Sequence, residues 1–240
     1  MSSPGATFTA ICRQREVSWS SAPARVYTCE LARYGLAVDA MDLSARLTDI
    51  ARQSAKERNV ASRVRHFVGD ARDLSMLRGS SYDAALIMGP LYHLVYEEDR
   101  RLVLRQVQYL LKPGGIVFSA FISRLGIWGD LLKDIPELID DCAEVRAVLD
   151  NGRDREEYRG KDFRAYYTRV EEIAPLHESA GFETLTLVGV EPAISADDES
   201  YNRLTEPRRG RWLDLLAEIS AEPTIVGASR HLLYIGRRPA

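Results

Sequence analysis

The chain has 240 residues, and its 32 basic and 35 acidic side chains give a formal net charge of −3. Hydrophobic residues make up 45% and charged residues 28%, close to globular averages, which excludes a globally disordered chain. The slightly acidic balance argues against a dedicated nucleic-acid binder, which needs a basic surface. One domain over residues 1–240 is expected for this length.

The cysteines and the apolar runs set the expected compartment. Cys12, Cys29 and Cys142 are too few and too scattered for a disulfide framework or a tetrahedral zinc site, so reduced thiols and no metal are expected. No run approaches the roughly 18 apolar residues of a membrane span, and the first residues lack a long apolar signal segment. We therefore expect a cytoplasmic protein without a membrane partner.

Short apolar runs alternate with amphipathic stretches, which predicts a mostly parallel sheet with helices on both faces. The first clear unit is a strand at Leu36–Met41, closed by Asp42, with Ser44 as the N-cap of a helix to about Arg58. The further predicted elements are strands at Val64–Val68 and Tyr82–Met88, a helix at Glu97–Leu111 stopped by Lys112-Pro113-Gly114-Gly115, a central strand at Ile116–Ile122, a helix at Val170–Ser179, a strand at Glu183–Val190, a helix at Arg208–Ile219 and a strand at His231–Ile235.

The pattern weakens between residues 126 and 162, where the charged stretch DNGRDREEYRGKDF stands. It predicts a solvated loop or small cap, and we assign about 126–168 as a substrate-side insertion. Tyr166 and Tyr167 either line the acceptor pocket there or simply pack.

Acidic residues follow two of the predicted strands, where open α/β sheets bind ligands. Asp42 closes VDAMD, and a carboxylate there can accept two hydrogen bonds from a ribose diol or, alternatively, stabilise a helix start. Asp70 and Ala71 close FVGDA, where a carboxylate can accept from an adenine amine, although Gly-Asp is also common turn chemistry.

The stretch SYDAALIMGPLYHLVYEEDRRLVLRQVQYLLKPGGIVFSAF closely resembles the motif IV to motif V region of class I S-adenosylmethionine-dependent methyltransferases, and GPLYHL marks a bacterial subgroup of them. The resemblance runs from about Tyr27 to the C-terminus. It implies a Rossmann-like, seven-stranded sheet whose last strand is antiparallel, S-adenosylmethionine as cofactor, and methyl transfer to oxygen, nitrogen or carbon of a small-molecule substrate.

The resemblance also implies roles for individual residues. Methyl transfer is an in-line displacement with an excellent leaving group, so positioning and desolvation dominate. His93 either accepts a proton from the acceptor or hydrogen-bonds across its loop, and Tyr92 either takes part in transfer or packs over the cofactor. The implied cofactor positions are Asp42 and Leu43 at the ribose, Asp70 and Ala71 at the adenine, and Met88 and Gly89 beside the methionine.

The family's first strand should end in a glycine loop of the type V-E-L-G-x-G-x-G, which lets the cofactor lie against the backbone. This chain has VSWSSAPARVYT there, with no glycine between Glu16 and Gly35. Ser18 and Trp19 interrupt the apolar run, so we expect a degenerate first strand and glycine loop within an atypical segment, residues 1–26. The small residues Ala22 and Ala24 would then line the cofactor.

Two explanations of this segment remain open. GC-rich codons written for residues 18–26 and shifted by two bases encode Val-Glu-Leu-Gly-Ala-Gly-Pro-Gly, so residues 1 to about 26 can be an out-of-frame translation, with the frame restored before Tyr27. Otherwise the loop is a genuine degenerate one. Sequencing the gene would separate the two explanations.

Two competing functions follow from the same residues. One is a methyltransferase-like protein whose catalysis is impaired by the missing glycines; the other, a nicotinamide-dependent oxidoreductase, lacks a glycine fingerprint of its own. The basic run Pro207–Arg211 is interpreted as a solvated helix start, since Trp212, Leu216 and Ile219 follow with core-like spacing. No nucleic-acid partner is expected, and the oligomeric state stays open.

Overall fold

The computed structural model describes residues 7–12, 23–77, 82–153, 165–191 and 203–240. Eight strands in these ranges form one sheet, in the order β3-β2-β1-β4-β5-β8-β7, with β6 paired to β5 beside this path. The strands are β1 (Thr7–Cys12), β2 (Ala37–Asp42), β3 (Val64–Val68), β4 (Tyr82–Met88), β5 (Leu111–Ser123), β6 (Tyr167–Thr168), β7 (Glu183–Gly189) and β8 (His231–Arg237).

Helices follow most of the strands. They are α1 (Pro23–Arg33), α2 (Ala45–Glu57), α3 (Pro90–His93), α4 (Glu97–Leu110), α5 (Trp128–Asp134), α6 (Cys142–Asn151), α7 (Val170–Glu178), α8 (Arg208–Ile219) and α9 (Pro223–Ala228). Local signals set several of their ends. Ser44 caps α2 by accepting a hydrogen bond from the Leu47 N–H, and Gly181 follows α7 with a φ of 90°.

Alternate residues of β4 face two different hydrophobic clusters. Ala85 and Ile87 lie in the larger cluster with Val103 and Leu104 of α4. Leu86 belongs to a second cluster that contains residues of α1 and α2, and Met88 packs against it. The sheet is therefore covered by helices on both faces, as the near-continuous apolar run of its central strands predicted.

The expected strand count needs correction. The two-residue β6 runs parallel to β5 at Ile122 and Ser123 and adds an eighth strand. The first described strand is β1, Thr7–Cys12, and the irregular strand expected around Ser18 and Trp19 falls outside the described residues. β1 pairs in parallel with both β2 and β4 through regular registers, because the alternating, β-branched sequence TFTAIC suits a central strand. Residues 13–22, which contain the first half of VSWSSAPARVYT, lie outside the described residues.

The last strand is antiparallel, as expected: β8 lies between β5 and β7 and runs opposite to both. β7 is consequently parallel to β5, and the carboxyl ends of β1 to β5 and of β7 meet at one edge of the sheet. The long connections after β5 and after β7 begin at this edge, which is where we look for a site.

The predicted insertion contains more regular structure than a loop. Helix α5, a 3-10 turn at Pro136–Asp140, helix α6 and strand β6 occupy its described part, and they enclose a third hydrophobic cluster that includes Ile127, Leu138 and Val148. Most of the charged stretch, residues 154–164, lies outside the described residues.

Helix α8 has the predicted bounds but not the predicted packing. None of its residues is buried, and Trp212 is 52% exposed. Leu216 and Ile219, which were expected in the core, are only half-buried. Helical periodicity identifies an apolar stripe, but it does not specify whether the fold covers that stripe.

Candidate cofactor and acceptor site

The carboxyl end of β2 holds an acidic side chain in a buried position. Asp42 is 8% exposed, and its Oδ1 accepts a 2.7 Å hydrogen bond from the Ser44 N–H. Its backbone carbonyl accepts from the Gly69 N–H at 3.0 Å, which holds the ends of β2 and β3 side by side. A carboxylate held in this way is suited to accept hydrogen bonds from a diol. Leu43, the next residue, is 41% exposed at the same edge.

The end of β3 carries the second predicted acid, and the structure gives it a partner that the sequence analysis did not identify. Asp70 forms an ion pair with Arg72, with 2.7 Å between Oδ2 and Nη2, and hydrogen bonding to Asp70 raises the pKa of Arg72. Arg72 also reaches Asp99, at the start of α4, across 3.4 Å. Ala71 is half-buried and packs against the larger cluster. The pair therefore orients Asp70 beside the loop that would face an adenine ring.

The chain turns sharply where β4 ends. Gly89 has a φ of 131° and precedes Pro90, the first residue of α3. A residue with a Cβ would be strained at that φ, so the glycine lets α3 start directly at the edge of the sheet. The predicted catalytic residues Tyr92 and His93 both lie on α3, with ring centroids 4.8 Å apart.

The predicted cofactor residues Ala22 and Ala24 come before β2 in the chain. Ala22 lies outside the described residues, and Ala24 falls in the first turn of α1. The ten residues 13–22 connect the end of β1 to α1 at the same edge, and none of them is a glycine. The part of the site that the structure describes therefore lies at the ends of β2, β3 and β4.

The residues at these three strand ends fit S-adenosylmethionine. Buried Asp42 would offer a carboxylate to a ribose, Asp70 and Ala71 would offer a carboxylate and backbone to an adenine, and Gly89, at the end of β4, would lie beside the methionine. Among the described residues, no cluster of three or more His, Cys, Asp or Glu side chains is arranged to hold a metal ion.

The predicted insertion contacts α3 directly. The Tyr166 N–H donates a 2.8 Å hydrogen bond to the Tyr92 carbonyl, and the Tyr92 side chain packs against the third cluster. Tyr167 is 4% exposed and belongs to that cluster, so it packs rather than lines a pocket. Tyr166 is half-buried and is the one of the two that adjoins the transfer side of the site.

Tyr166 stands between two buried arginines that the sequence analysis missed. The Cζ atom of Arg100 lies 3.7 Å from the centre of the Tyr166 ring, and that of Arg124 lies 5.7 Å from it. The Tyr166 hydroxyl donates to Glu172 at 2.7 Å, and Arg124 donates to the other oxygen of Glu172 at 2.9 Å. Burial and the Glu172 carboxylate raise the pKa of Tyr166, so the phenol stays neutral.

A signal for Arg100 was present in the sequence. Arg100 shares its helical face with Val103, Leu104 and Val107, which are all buried, because residues three, four and seven positions apart lie on one face. An arginine in such an apolar stripe is either a snorkelling side chain or a buried charge, and here it is the latter.

Part of the chain matches known methyltransferases in sequence. Residues 26–115 match a family model described as a methyltransferase domain. A ubiquinone biosynthesis O-methyltransferase of Xanthomonas campestris pv. campestris (strain B100) is 34% identical over 94 residues, which cover 39% of this chain and 37% of that protein. The chain therefore matches little more than a third of the length of this curated relative.

Solved structures match over nearly the whole chain. A S-adenosylmethionine-dependent methyltransferase from Methanosarcina mazei superposes with a TM-score of 0.63 at 16% identity, covering 98% of this chain and 93% of that one. Geranyl diphosphate C-methyltransferase from Streptomyces coelicolor A3(2), solved with S-adenosyl-L-homocysteine, superposes with a TM-score of 0.53 at 14% identity, covering 98% and 70%. At such identities the likeness shows the fold. The fold is that of S-adenosylmethionine-dependent methyltransferases, and the methyltransferase-domain match over residues 26–115 supports S-adenosylmethionine as cofactor.

Proposed function

We propose that the chain transfers the methyl group of S-adenosylmethionine to an oxygen, nitrogen or carbon atom of a small-molecule acceptor. The observation that carries the proposal is the placement of buried Asp42, of Asp70 and of Gly89 at three strand ends on one edge of the sheet, with Tyr92 and His93 directly after Gly89. The sequence similarity to O-methyltransferases supports the reaction class.

The reaction requires little acid–base or covalent chemistry from the chain's own residues. Bound S-adenosylmethionine supplies a methyl group on a sulfonium, so the protein has to orient the acceptor and exclude water. Asp42 and Asp70 would hold the ribose and adenine, and Gly89 would let the backbone approach the methionine. Tyr92 would pack at the transfer side, and His93 would accept the proton of an acceptor hydroxyl or amine.

Asp42→Asn provides the test, read by calorimetric titration of S-adenosylhomocysteine. The substitution removes the charge and one acceptor oxygen from a buried position while keeping the shape of the side chain. Because a hydrogen bond to a charged group is worth about 1.5–3 kcal/mol, we expect the Kd to rise about 10-fold to 100-fold. Asp42→Asn binding with unchanged affinity would refute the ribose assignment.

Asp49→Asn is the matched control. Asp49 lies on α2 with a side chain that is 71% exposed and paired to Arg52, so its substitution should leave S-adenosylhomocysteine binding unchanged. A similar loss in both variants would indicate a non-specific effect of charge. Transfer of labelled methyl from S-adenosylmethionine to a cellular metabolite extract would then report the reaction itself.

The prediction of no membrane and no nucleic-acid partner accompanies this function. Within the described ranges, no helix combines the length and the hydropathy needed to cross a bilayer. Binding of RNA or DNA that weakens with salt at physiological ionic strength would contradict the nucleic-acid part.

A further inference from the structure

Arg100 is buried with too few partners for its charge. It is 3% exposed, and Nη1 donates one 2.6 Å hydrogen bond to the Leu94 carbonyl. In the part of the chain that the structure describes, Nε is buried without an acceptor and no carboxylate forms an ion pair with the guanidinium. Glu97, the nearest acid on the same helix, pairs with Arg101 instead.

Arg124 shows how the same fold satisfies a buried arginine. Its side chain is 4% exposed, yet it pairs with Glu172 at 2.9 Å and its Nε donates to the Tyr167 carbonyl at 2.9 Å. Glu172 is fully engaged, because its oxygens also accept from Tyr166 and from the Arg169 N–H. Among the described residues, Glu172 therefore pairs with Arg124, and Arg100 has no carboxylate of its own.

A further arginine, Arg153, adds positive charge near Arg100. The Cζ atom of Arg153 lies 5.6 Å from the ring centre of Tyr96. Burial, with a smaller effect of the Arg153 charge, lowers the pKa of Arg100, against the opposing influence of Tyr166, Glu97 and Glu172. An uncompensated buried ion costs several kcal/mol, and a matching anion recovers much of that cost. Within the described ranges, the guanidinium of Arg100 therefore lacks a directly paired anion.

The position of Arg100 links this deficit to the acceptor side of the site. Arg100 bonds to the carbonyl of Leu94, the residue directly after His93. It also stacks on Tyr166, whose N–H bonds to the Tyr92 carbonyl. Both contacts tie the guanidinium to the short helix that carries the predicted catalytic residues.

We propose that Arg100 binds a carboxylate of the methyl acceptor, so that the acceptor is a small anionic molecule; this inference rests on the proposed methyl transfer. A carboxylate oxygen is the partner that the Nε lacks, and charge-assisted bonds of arginine to carboxylates are short and strong. Arg124, Glu172 and Tyr166 hold the guanidinium side of the site in place.

Acetate is the probe for the site, measured by thermal unfolding against sodium chloride at equal ionic strength. At ten times its Kd, a ligand that binds only the folded state raises the Tm of a chain of this size by about 3–6 °C. We expect this rise with acetate and not with acetamide. We expect Arg100→Gln to abolish it and Arg101→Gln, which removes an exposed charge on the same helix, to keep it.

Stability without acetate gives a second readout. Removing an unpaired buried charge is neutral or stabilising, so Arg100→Gln should melt no lower than the unaltered chain in chloride. Should Arg100→Gln fail to fold, Arg100→Lys keeps the charge without the planar donor set and should show a reduced acetate response. An acetate response that survives Arg100→Gln, or that Arg101→Gln also removes, would overturn the proposal, as would the absence of any response.

A labelling experiment tests whether the carboxylate that binds Arg100 belongs to the methyl acceptor. With labelled S-adenosylmethionine and a metabolite extract, labelled product should elute with the anionic fraction of an exchange column, and acetate should inhibit its formation. Product confined to neutral or cationic fractions overturns the proposal while methyl transfer stands. A chain that responds to acetate through Arg100 but does not bind S-adenosylhomocysteine keeps the anion site and refutes the proposed function.

Discussion

His177 is a fully buried histidine whose two ring nitrogens are both satisfied. Nδ1 lies 2.8 Å from the Ile173 carbonyl, which can only accept, so Nδ1 carries the proton. Nε2 therefore accepts from the Ser119 hydroxyl at 3.0 Å. The ring stacks on Tyr234 with 3.6 Å between centroids. Burial lowers the pKa of His177 from 6.5 to about 4, so the folded protein holds the neutral form.

The lowered pKa of His177 leads to a prediction of how the free energy of unfolding depends on pH. Between about pH 6.5 and pH 4, the unfolded chain binds a proton at position 177 that the folded chain excludes. The contribution is fully present above pH 6.5, falls as the pH is lowered, and amounts to about 3 kcal/mol for the whole shift. We expect His177→Phe to remove this part of the difference in unfolding free energy between about pH 7 and about pH 4, measured by urea titration.

A packing variant on the same helix separates titration from packing. Leu176 is 8% exposed, and Leu176→Ala should lower the free energy of unfolding by about 2–5 kcal/mol at both pH values. A pH dependence that is the same in His177→Phe as in the unaltered chain would show that another group causes the acid sensitivity.

The sequence alone was sufficient to predict the role of a residue when that role depends only on its neighbours in the chain. Ser44 caps α2 and Asp42 closes β2, because both roles depend on neighbours two or three positions away. The role of Arg100 depends on Tyr166 and Glu172, which lie more than sixty residues further along the chain. Such a cluster is created by the return of the insertion onto α3, and no local pattern encodes that return.

At the scale of elements, α8 departs most from its expected environment. Its apolar stripe is solvent-exposed, with Trp212, Leu213 and Leu215 at 52%, 48% and 44%. A helix of 12 residues without a packed face is marginal in water. We therefore assign little of the protein's stability to this element.

Trp212→Ala tests that assignment. Because Trp212 is half exposed, its truncation should change the free energy of unfolding by less than about 1 kcal/mol, as measured by denaturant titration. Phe121→Ala is the matched aromatic truncation in the core, at 0% exposure, and should cost about 3–5 kcal/mol. Comparable costs for the two variants would mean that α8 is covered after all.

Element bounds were predictable where the period of apolar residues changes abruptly. Strands β3 and β4 and helix α8 have the predicted bounds, since Gly69 and Gly89 follow the two strands and Pro207 precedes the helix. β6 was not predictable, because a strand of two residues has no period and forms only where Ile122 and Ser123 offer an open edge. β1 lies within the segment 1–26, and its pairing with β2 and β4, which no local pattern of residues encodes, fixes its place in the sheet.

For the molecule as a whole, the connection between β1 and α1 has the greatest bearing on cofactor binding. The family match begins at residue 26, which is where the reading-frame hypothesis places the restored frame. The ten residues 13–22, which join β1 to α1 along the chain, contain no glycine and lie outside the described residues. Only a backbone without Cβ atoms allows the closest approach of a nucleoside cofactor.

Rebuilding residues 18–26 to carry Val-Glu-Leu-Gly-Ala-Gly-Pro-Gly tests the importance of this connection. We expect the rebuilt chain to bind S-adenosylhomocysteine in a calorimeter at roughly micromolar Kd, about −8 kcal/mol, and more tightly than the unaltered chain. A second rebuilt chain with alanine at each new glycine isolates backbone freedom from the other changes. Equal affinity of the unaltered and glycine-rebuilt chains would show that small residues suffice.

The antiparallel strand β8 also decides when the sheet can be completed. β7 has β8 as its one neighbour in the sheet path, and β5 pairs with β8 along seven residues, Ile116–Ile122. During synthesis the ribosome releases β7 more than forty residues before β8, so β7 must wait without a partner while the rest of the sheet forms. At translation rates of about 5–20 residues per second, this interval lasts seconds. Aggregation of nascent chains should therefore be most severe while β7 has left the ribosome and β8 has not.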